Sequence, residues 1–196
     1  MHPVLNRNTF FVKEHIGMFK AANNYDILDP ETQETLIHCR EPRLGMFTKF
    51  FRFTKYKPMT PFNVELTTPD GQPILQVGRG ITLFRSRVAV IDENQQPLGG
   101  FKQKFFSLGG AFNVLDTNDQ PMCMLKGKWT SWEFSFNTPD GRSLAKVTKQ
   151  WAGLGKELFT SADNYVLSID PSVPENDPVR PLIMGAVICI DMVLKE

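Results

Sequence analysis

The chain has 196 residues and a formal net charge of +1. That length suits one large domain or two small ones, and the near-neutral balance excludes a global electrostatic pull toward nucleic acid or anionic membrane, so any basic patch has to be local. Cys39, Cys123 and Cys189 are odd in number and form no C-x-x-C pair, which speaks against a disulfide framework and for a reducing, cytoplasmic setting; the stretch from Met1 to Asn8 has no apolar signal region.

Taken in order, the chain opens with one short alternating strand at Phe10–Glu14 and then repeats a single pattern. Two alternating arms flank a turn rich in Asp, Asn, Pro, Gly or Gln, over Tyr25–Ile37, Phe62–Val77, Val88–Leu98, Phe112–Met124 and Phe134–Val147. Turn residues of this kind tolerate or preset the φ values that hairpin loops need. The alternation predicts that each arm buries one face. Another strand is expected at Asn164–Asp170, for about twelve in all, mostly hairpin-connected and therefore antiparallel.

The pattern breaks once, over Leu44–Lys57. There Phe47, Phe50, Phe51 and Tyr56 recur near helical spacing and are interleaved with Lys49, Arg52, Lys55 and Lys57. Two readings fit: a short helix whose aromatics fill one mouth of the sheet, or an interfacial element that puts aromatics into a membrane surface.

After a proline-rich loop, Pro171–Pro181, read as neither helix nor central strand, the run Pro181–Leu194 is apolar on every side. A helix without a polar face lies inside protein or inside a membrane. About fourteen residues reach roughly 21 Å, short of the ~20 residues a bilayer core needs, and Asp191 would be costly in lipid. A buried core helix is expected, presenting Met184, Val187, Ile188 and Asp191 to its surroundings; the β-branched residues also permit a buried strand. A barrel of about twelve strands is wide enough to need a filler. The predicted fold is therefore all-β with a buried helix, a closed antiparallel barrel around a central C-terminal hydrophobic helix, as a single domain over residues 1–196.

The segment Lys146–Leu167, with its Lys-Gln-Trp-Ala-Gly and Glu-Leu-Phe-Thr-Ser-Ala-Asp-Asn runs, together with Met184–Met192, resembles the phospholipid scramblase family. That family groups with the Tubby C-terminal-like and LURP-one-related domains. The resemblance implies a twelve-stranded barrel around a C-terminal helix, no enzymatic activity, and an association with phospholipid: either movement of lipid between leaflets or binding of phosphoinositide-like headgroups at a basic surface. Some relatives bind nucleic acid or act in regulation. The family's calcium segment carries more carboxylates than this chain has at the matching positions Ser161, Ala162, Asp163, Asn164 and Ser172. Asp163 and Asp170 remain as weak candidate ligands, too few for an ion that takes six to eight oxygens.

Catalytic signatures are lacking. His2, His15 and His38 are scattered without H-E-x-x-H or C-x-x-C company, and there is no G-x-S-x-G elbow or P-loop. Two basic groups remain, Lys49, Arg52, Lys55 and Lys57 in one, Arg79, Arg85 and Arg87 in the other. Converging on one face they would hold phosphate, bidentately in the case of Arg. The expected function is a non-enzymatic, scramblase-like peripheral module that binds anionic phospholipid headgroups, with the cytoplasmic membrane face as its site and no integral span. Lipid scrambling and nucleic-acid binding, with Trp129, Trp132 and Trp151 as stacking platforms, are the alternatives. No catalytic residue and no required cofactor is expected.

Overall fold

The computed structural model describes residues 1–15, 24–42, 60–80, 87–103, 111–128, 133–149 and 164–194, with Gln103, Lys128 and 191–194 described in the backbone only. A 3₁₀ turn at Pro3–Asn6 leads into twelve strands: β1 (Thr9–Glu14), β2 (Tyr25–Leu28), β3 (Thr35–Arg40), β4 (Phe62–Thr67), β5 (Pro73–Arg79), β6 (Arg87–Asp92), β7 (Pro97–Gln103), β8 (Ala111–Leu115), β9 (Pro121–Lys128), β10 (Glu133–Asn137), β11 (Ser143–Thr148) and β12 (Asn164–Ile169). Each strand pairs antiparallel with its sequence neighbours, and β1 pairs with β12 to close the barrel. Closure leaves no edge strand exposed. The expected barrel is the observed one.

The alternating arms are inward and outward faces. In β4, Phe62, Val64 and Leu66 are buried while Asn63, Glu65 and Thr67 are not. Four of the five hairpin turns share one geometry, and in the first the Gln33 N–H bonds to the Asp29 carbonyl four residues back. The N–H of Gly71 bonds to the Thr68 carbonyl, and the same three-residue closure recurs at Gln95–Asp92, Asp119–Asp116 and Gly141–Thr138. The third turn residue lies in the left-handed region: Gly71 and Gly141 at φ 90° and 92°, Gln95 and Asp119 at φ 63° and 61°. A bulge follows in each hairpin. A type I turn followed by a left-handed bulge residue joins strands in register and adds to their twist. At Gly100 a Cβ would meet the Val88 carbonyl oxygen at 2.1 Å, and at Gly99 one would meet that of Leu115 at 2.2 Å. Backbone approach this close admits only glycine.

Strict up-and-down order sends alternate connections to opposite ends. The five hairpins, the loop 170–178 and the N-terminal residues 1–8 share one end, here the hairpin rim. The strand ends that flank 16–23, 43–59, 81–86, 104–110, 129–132 and 150–163 share the other, the far rim.

Helix α1 (Val179–Leu194) starts at the hairpin rim and runs inside the barrel. Its residues from Val179 to Ile190 are all buried, and a Cβ added at Gly185 would lie 3.1–3.4 Å from the side chains of Val90, Val77 and Phe101. The helix alternative for this run is the observed one, but it begins two residues early, so Val179–Pro181 is not loop. Proline is tolerated in a first helical turn because its missing N–H would have no intrahelical partner there. Asp177 caps that turn by accepting from the Val179 N–H at 2.9 Å.

Candidate functional site

The two rims differ in chemistry, beginning with how the hairpin rim satisfies its own polar groups. Asp92 Oδ1 accepts from the N–H groups of Asn94 and Gln96, both at 2.8 Å. Asp116 repeats this with Asn118 and Gln120. Thr68 and Thr138 hydroxyls take the matching bond from Gln72 and Arg142 at 2.9 and 3.0 Å. Short polar side chains that bond their own backbone are what make these residues turn formers. The result is an acidic end. Asp29, Glu31, Glu34, Asp70, Asp92, Glu93, Asp116, Asp119, Asp140, Asp170, Glu175 and Asp177 all fall in its six connections, which hold Arg142 and no aromatic residue; Arg7 and the Met1 ammonium, at the same end, pair with Asp29 and Glu93.

Arg180 fastens this end shut. It is 2% exposed, and its guanidinium donates to six acceptors: the carbonyls of Leu5, Asn6 and Arg7 at 3.3, 3.2 and 3.1 Å, Asn8 Oδ1 at 2.9 Å, and the carbonyls of Val173 and Pro174 at 2.7 and 2.8 Å. One planar fork thus binds the N-terminal segment and the β12–α1 loop to the first turn of the core helix, a task for Arg's fixed fan of donors rather than Lys's single ammonium. Burial lowers its proton affinity, and Asp177 and Glu175 act in the other direction.

At the far rim the sequence content is reversed. The connections 15–24, 41–61, 80–86, 104–110, 129–132 and 149–163 contain Lys20, Arg43, Lys49, Arg52, Lys55, Lys57, Arg85, Lys104, Lys149 and Lys156, against Glu41, Glu157 and Asp163. They also hold all three tryptophans and more than half of the 16 phenylalanines. Lys49, Arg52, Lys55, Lys57 and Arg85 lie outside the described residues.

The two described members of the expected basic patch do not come together on its surface. Arg79 is 5% exposed, in phase with the buried Leu75 and Val77. Its guanidinium lies 4.9 Å from the centre of the Phe62 ring and donates to the Thr60 carbonyl at 2.8 Å. Its charge therefore points into the barrel, and its place in a surface patch is corrected accordingly. Arg87 is exposed and pairs with Asp119 of the β8–β9 turn.

A second polar cluster, missed in the sequence, sits on the outer wall where β2 and β3 reach the far rim. Asp26 Oδ2 lies 2.6 Å from His15 Nε2; its Oδ1 lies 2.8 Å from His38 Nδ1 and 2.6 Å from Arg40 Nη2. Arg40 is held in turn by the carbonyls of Tyr25 and Cys39. Burial pushes the Asp26 carboxyl up, but the bonds from His38, Arg40 and His15 outweigh it and bring the group down to about 2. The histidines look scattered in sequence, yet folding the Tyr25–Ile37 hairpin about its turn sets Asp26 directly opposite His38.

Among the described residues no group of three or more His, Cys, Asp or Glu is arranged to hold a metal ion. Asp163 lies outside them. Asp170 caps a turn, with Oδ1 accepting from the Ser172 N–H at 2.9 Å, and Ser172 holds it below the usual carboxylate range. Among the described residues, α1 occupies the barrel interior. Met184, Val187 and Ile188 are buried in the core, and the Tyr165 hydroxyl points at the Val187 carbonyl at 3.4 Å. Asp191 belongs to α1, its side chain outside the described residues. A void of about 10 Å³ remains between Ala186, Cys189 and Ile190 of α1 and Val88, Phe101, Phe112 and Leu125 of the wall, room for one water at most.

A twelve-stranded closed meander with an apolar C-terminal helix inside it is the architecture that the Lys146–Leu167 and Met184–Met192 resemblance implied. A family model described as Scramblase matches residues 5–196. The chain belongs to the scramblase family. An X-ray structure of a protein from Arabidopsis thaliana is similar to this scramblase-family barrel with a TM-score of 0.55 and 14% identity, over 96% of this chain and 93% of that one, a likeness of fold alone. No curated protein matches. No helix among the described residues is long and apolar enough to cross a membrane.

Proposed function

We propose that this scramblase-family chain is a non-enzymatic peripheral module that binds anionic phospholipid headgroups, phosphoinositide-like ones included, at the far rim. Lys49, Arg52, Lys55, Lys57 and Arg85 supply the charge. The observation that carries the reading is the partition of the barrel into an acidic rim without aromatics and a rim whose connections are basic and aromatic in sequence. Each Lys or Arg near an anionic surface contributes about 1 kcal/mol, and aromatics beside such charges suit the boundary between headgroups and acyl chains. Three free, buried cysteines accord with the reducing cytoplasm, whose leaflet is the anionic one.

Co-sedimentation with vesicles tests this reading. Binding is expected to vesicles containing phosphatidylserine or a phosphoinositide, to be weak on phosphatidylcholine alone, and to fall steeply with salt because exposed charges are screened within about 10 Å at 0.1 M. Binding indifferent to salt and headgroup charge, or no binding at all, overturns it.

A further inference from the structure

We infer that the outer wall from β6 to β11 is a docking surface for an extended acidic segment of a partner protein. The inference does not rest on the headgroup reading and uses described residues alone.

The outward positions of this wall fall into two neighbouring rows that run across the strands. One is Ser168, Lys146, Ser135, Lys126 and Ala111, each opposite the next. The other is Ser143, Asn137, Met124, Asn113, Lys102 and Arg87. Neither row holds a carboxylate or an aromatic ring. Arg87, Lys126 and Lys146 are exposed and Lys102 is half-buried, while their chain neighbours Val88, Phe101, Leu125 and Val147 belong to the core.

The charge of these rows is largely unanswered. Among the described residues Lys102, Lys126 and Lys146 form no ion pair, and Arg87 pairs with Asp119 of the β8–β9 turn. Two more carboxylates border the rows: Glu133, one strand pair nearer the far rim, and Asp170, held low by Ser172 and in part by Lys146. The other half of the wall, β1 to β5, is balanced, with outward Asp26 and Glu65 offsetting Lys13 and Arg40. Nor do the lysines guard an exposed strand edge, because the closed barrel has none.

The arrangement selects its partner by shape. In a closed barrel of twelve strands the wall turns by about 30° per strand. With Lys126 of β9 against a flat lipid surface, Lys102 of β7 and Lys146 of β11 face about 60° away to either side. A membrane therefore meets these cations one at a time, whereas a flexible chain follows the curve. Lys126 and Lys146 stand two strands apart, about 10 Å at ~4.8 Å per strand. An acidic segment repels itself into an extended form, and in polyproline-like extension every third side chain returns to the same side after about 9 Å. Serine and asparagine between the cations add hydrogen-bond donors for its carboxylates. Single-stranded nucleic acid is held by aromatic platforms as well as by charge, and the two rows have no such platform.

Fluorescence anisotropy of a labelled polyglutamate peptide with the full chain tests this. Saturable binding at low salt is expected. Changing Lys102, Lys126 and Lys146 together to Gln is expected to weaken it on the order of tenfold, as for three exposed ion pairs, with the melting temperature kept. Changing Lys49, Lys55 and Lys57 together to Gln is expected to leave it nearly unchanged. On the unmodified chain, zero-length carbodiimide coupling is expected to join peptide glutamates to Lys102, Lys126 or Lys146. No saturable binding, equal weakening in the two variants, coupling confined to other lysines, or easier displacement of the peptide by oligothymidylate than by unlabelled polyglutamate overturns the docking surface. So does a matching loss of sedimentation on phosphatidylserine vesicles by the Lys102, Lys126 and Lys146 variant, which makes this wall the membrane face and overturns the far-rim placement too. Loss of vesicle binding by the Lys49, Lys55 and Lys57 variant alone supports both readings as separate surfaces.

Discussion

The hairpin rim and the Asp26 cluster satisfy their charges in opposite ways. At the rim, a carboxylate or hydroxyl is answered by backbone N–H groups two to four residues away, and Arg180 is answered mostly by backbone carbonyls. On the wall, Asp26 is answered by side chains from β1's end and from β3. Backbone partners do not titrate and are fixed by the fold, so the rim's charge pattern is a property of the scaffold. Side-chain partners come from separate elements, so the wall cluster depends on how β1, β2 and β3 pair.

The largest effect expected from breaking this contrast is at the clamp. Arg180→Ala leaves five carbonyls, those of Leu5 and Val173 buried and the others partly so, and Asn8 Oδ1 without their donor, a loss of about 3–5 kcal/mol by analogy with broken buried charge networks. In thermal unfolding that is a fall of roughly 10 °C for a chain of this size. Arg180→Lys is expected to recover little of it. A fall of a degree or two in either variant would mean the rim is closed by something else.

Next is the backbone of the wall. Gly100→Ala sets a Cβ against the Val88 carbonyl, a backbone atom that cannot swing away. A loss of about 1–3 kcal/mol is expected, as for overpacked cores, read as a lower denaturation midpoint; an unchanged midpoint would show that β6 and β7 separate freely.

Asp26→Asn is smaller and carries a pH signature. The folded carboxyl lies near 2, below its ordinary value of 3.8. Its stabilisation is therefore complete above the unfolded value and disappears as pH falls from about 4 to about 2. Because His15, His38 and Arg40 are partly exposed, screening reduces the effect to about 1 kcal/mol at pH 7. The gap in melting temperature between variant and parent should close by pH 2; a gap that persists there would contradict the ion-pair account.

The smallest prediction compares the hairpins with one another. Gln95 occupies at φ 63° the place that Gly71 and Gly141 hold in sister turns. Gln95→Gly is expected to stabilise by about 0.5 kcal/mol, since a non-glycine residue there costs roughly 1 kcal/mol, partly offset by glycine's greater unfolded-state freedom. A destabilised variant would show that the Gln95 side chain matters more than its backbone.

Local features were legible in the sequence and long-range ones were not. Five turns each opening on Asp or Thr and closing on Gly, Gln or Asp announced the hairpins, and their number with the apolar C-terminal run announced a filled barrel. Strand alternation also held the signal that Arg79 points inward, in phase with Leu75 and Val77; reading it by charge alone placed it outside. The role of Arg180 was hidden, because its acceptors lie some 170 residues earlier in the chain and nothing in a proline-rich loop distinguishes a buried guanidinium from a solvated one. His15 was hidden for a similar reason, since its meeting with Asp26 depends on how β1 pairs with β2.

The two rims are predicted to have opposite relations to a membrane, and a paired neutralisation separates them. One variant carries Lys49, Arg52, Lys55 and Lys57 all changed to Gln; the other carries Glu31, Glu34 and Glu175 all changed to Gln. Binding to phosphatidylserine vesicles at low salt is predicted to weaken on the order of a hundredfold or more in the first, from about 1 kcal/mol per basic residue, and to change little in the second, whose charges sit at the opposite end of the barrel. Equal changes in the two variants, or a large gain in the second with none lost in the first, would contradict it.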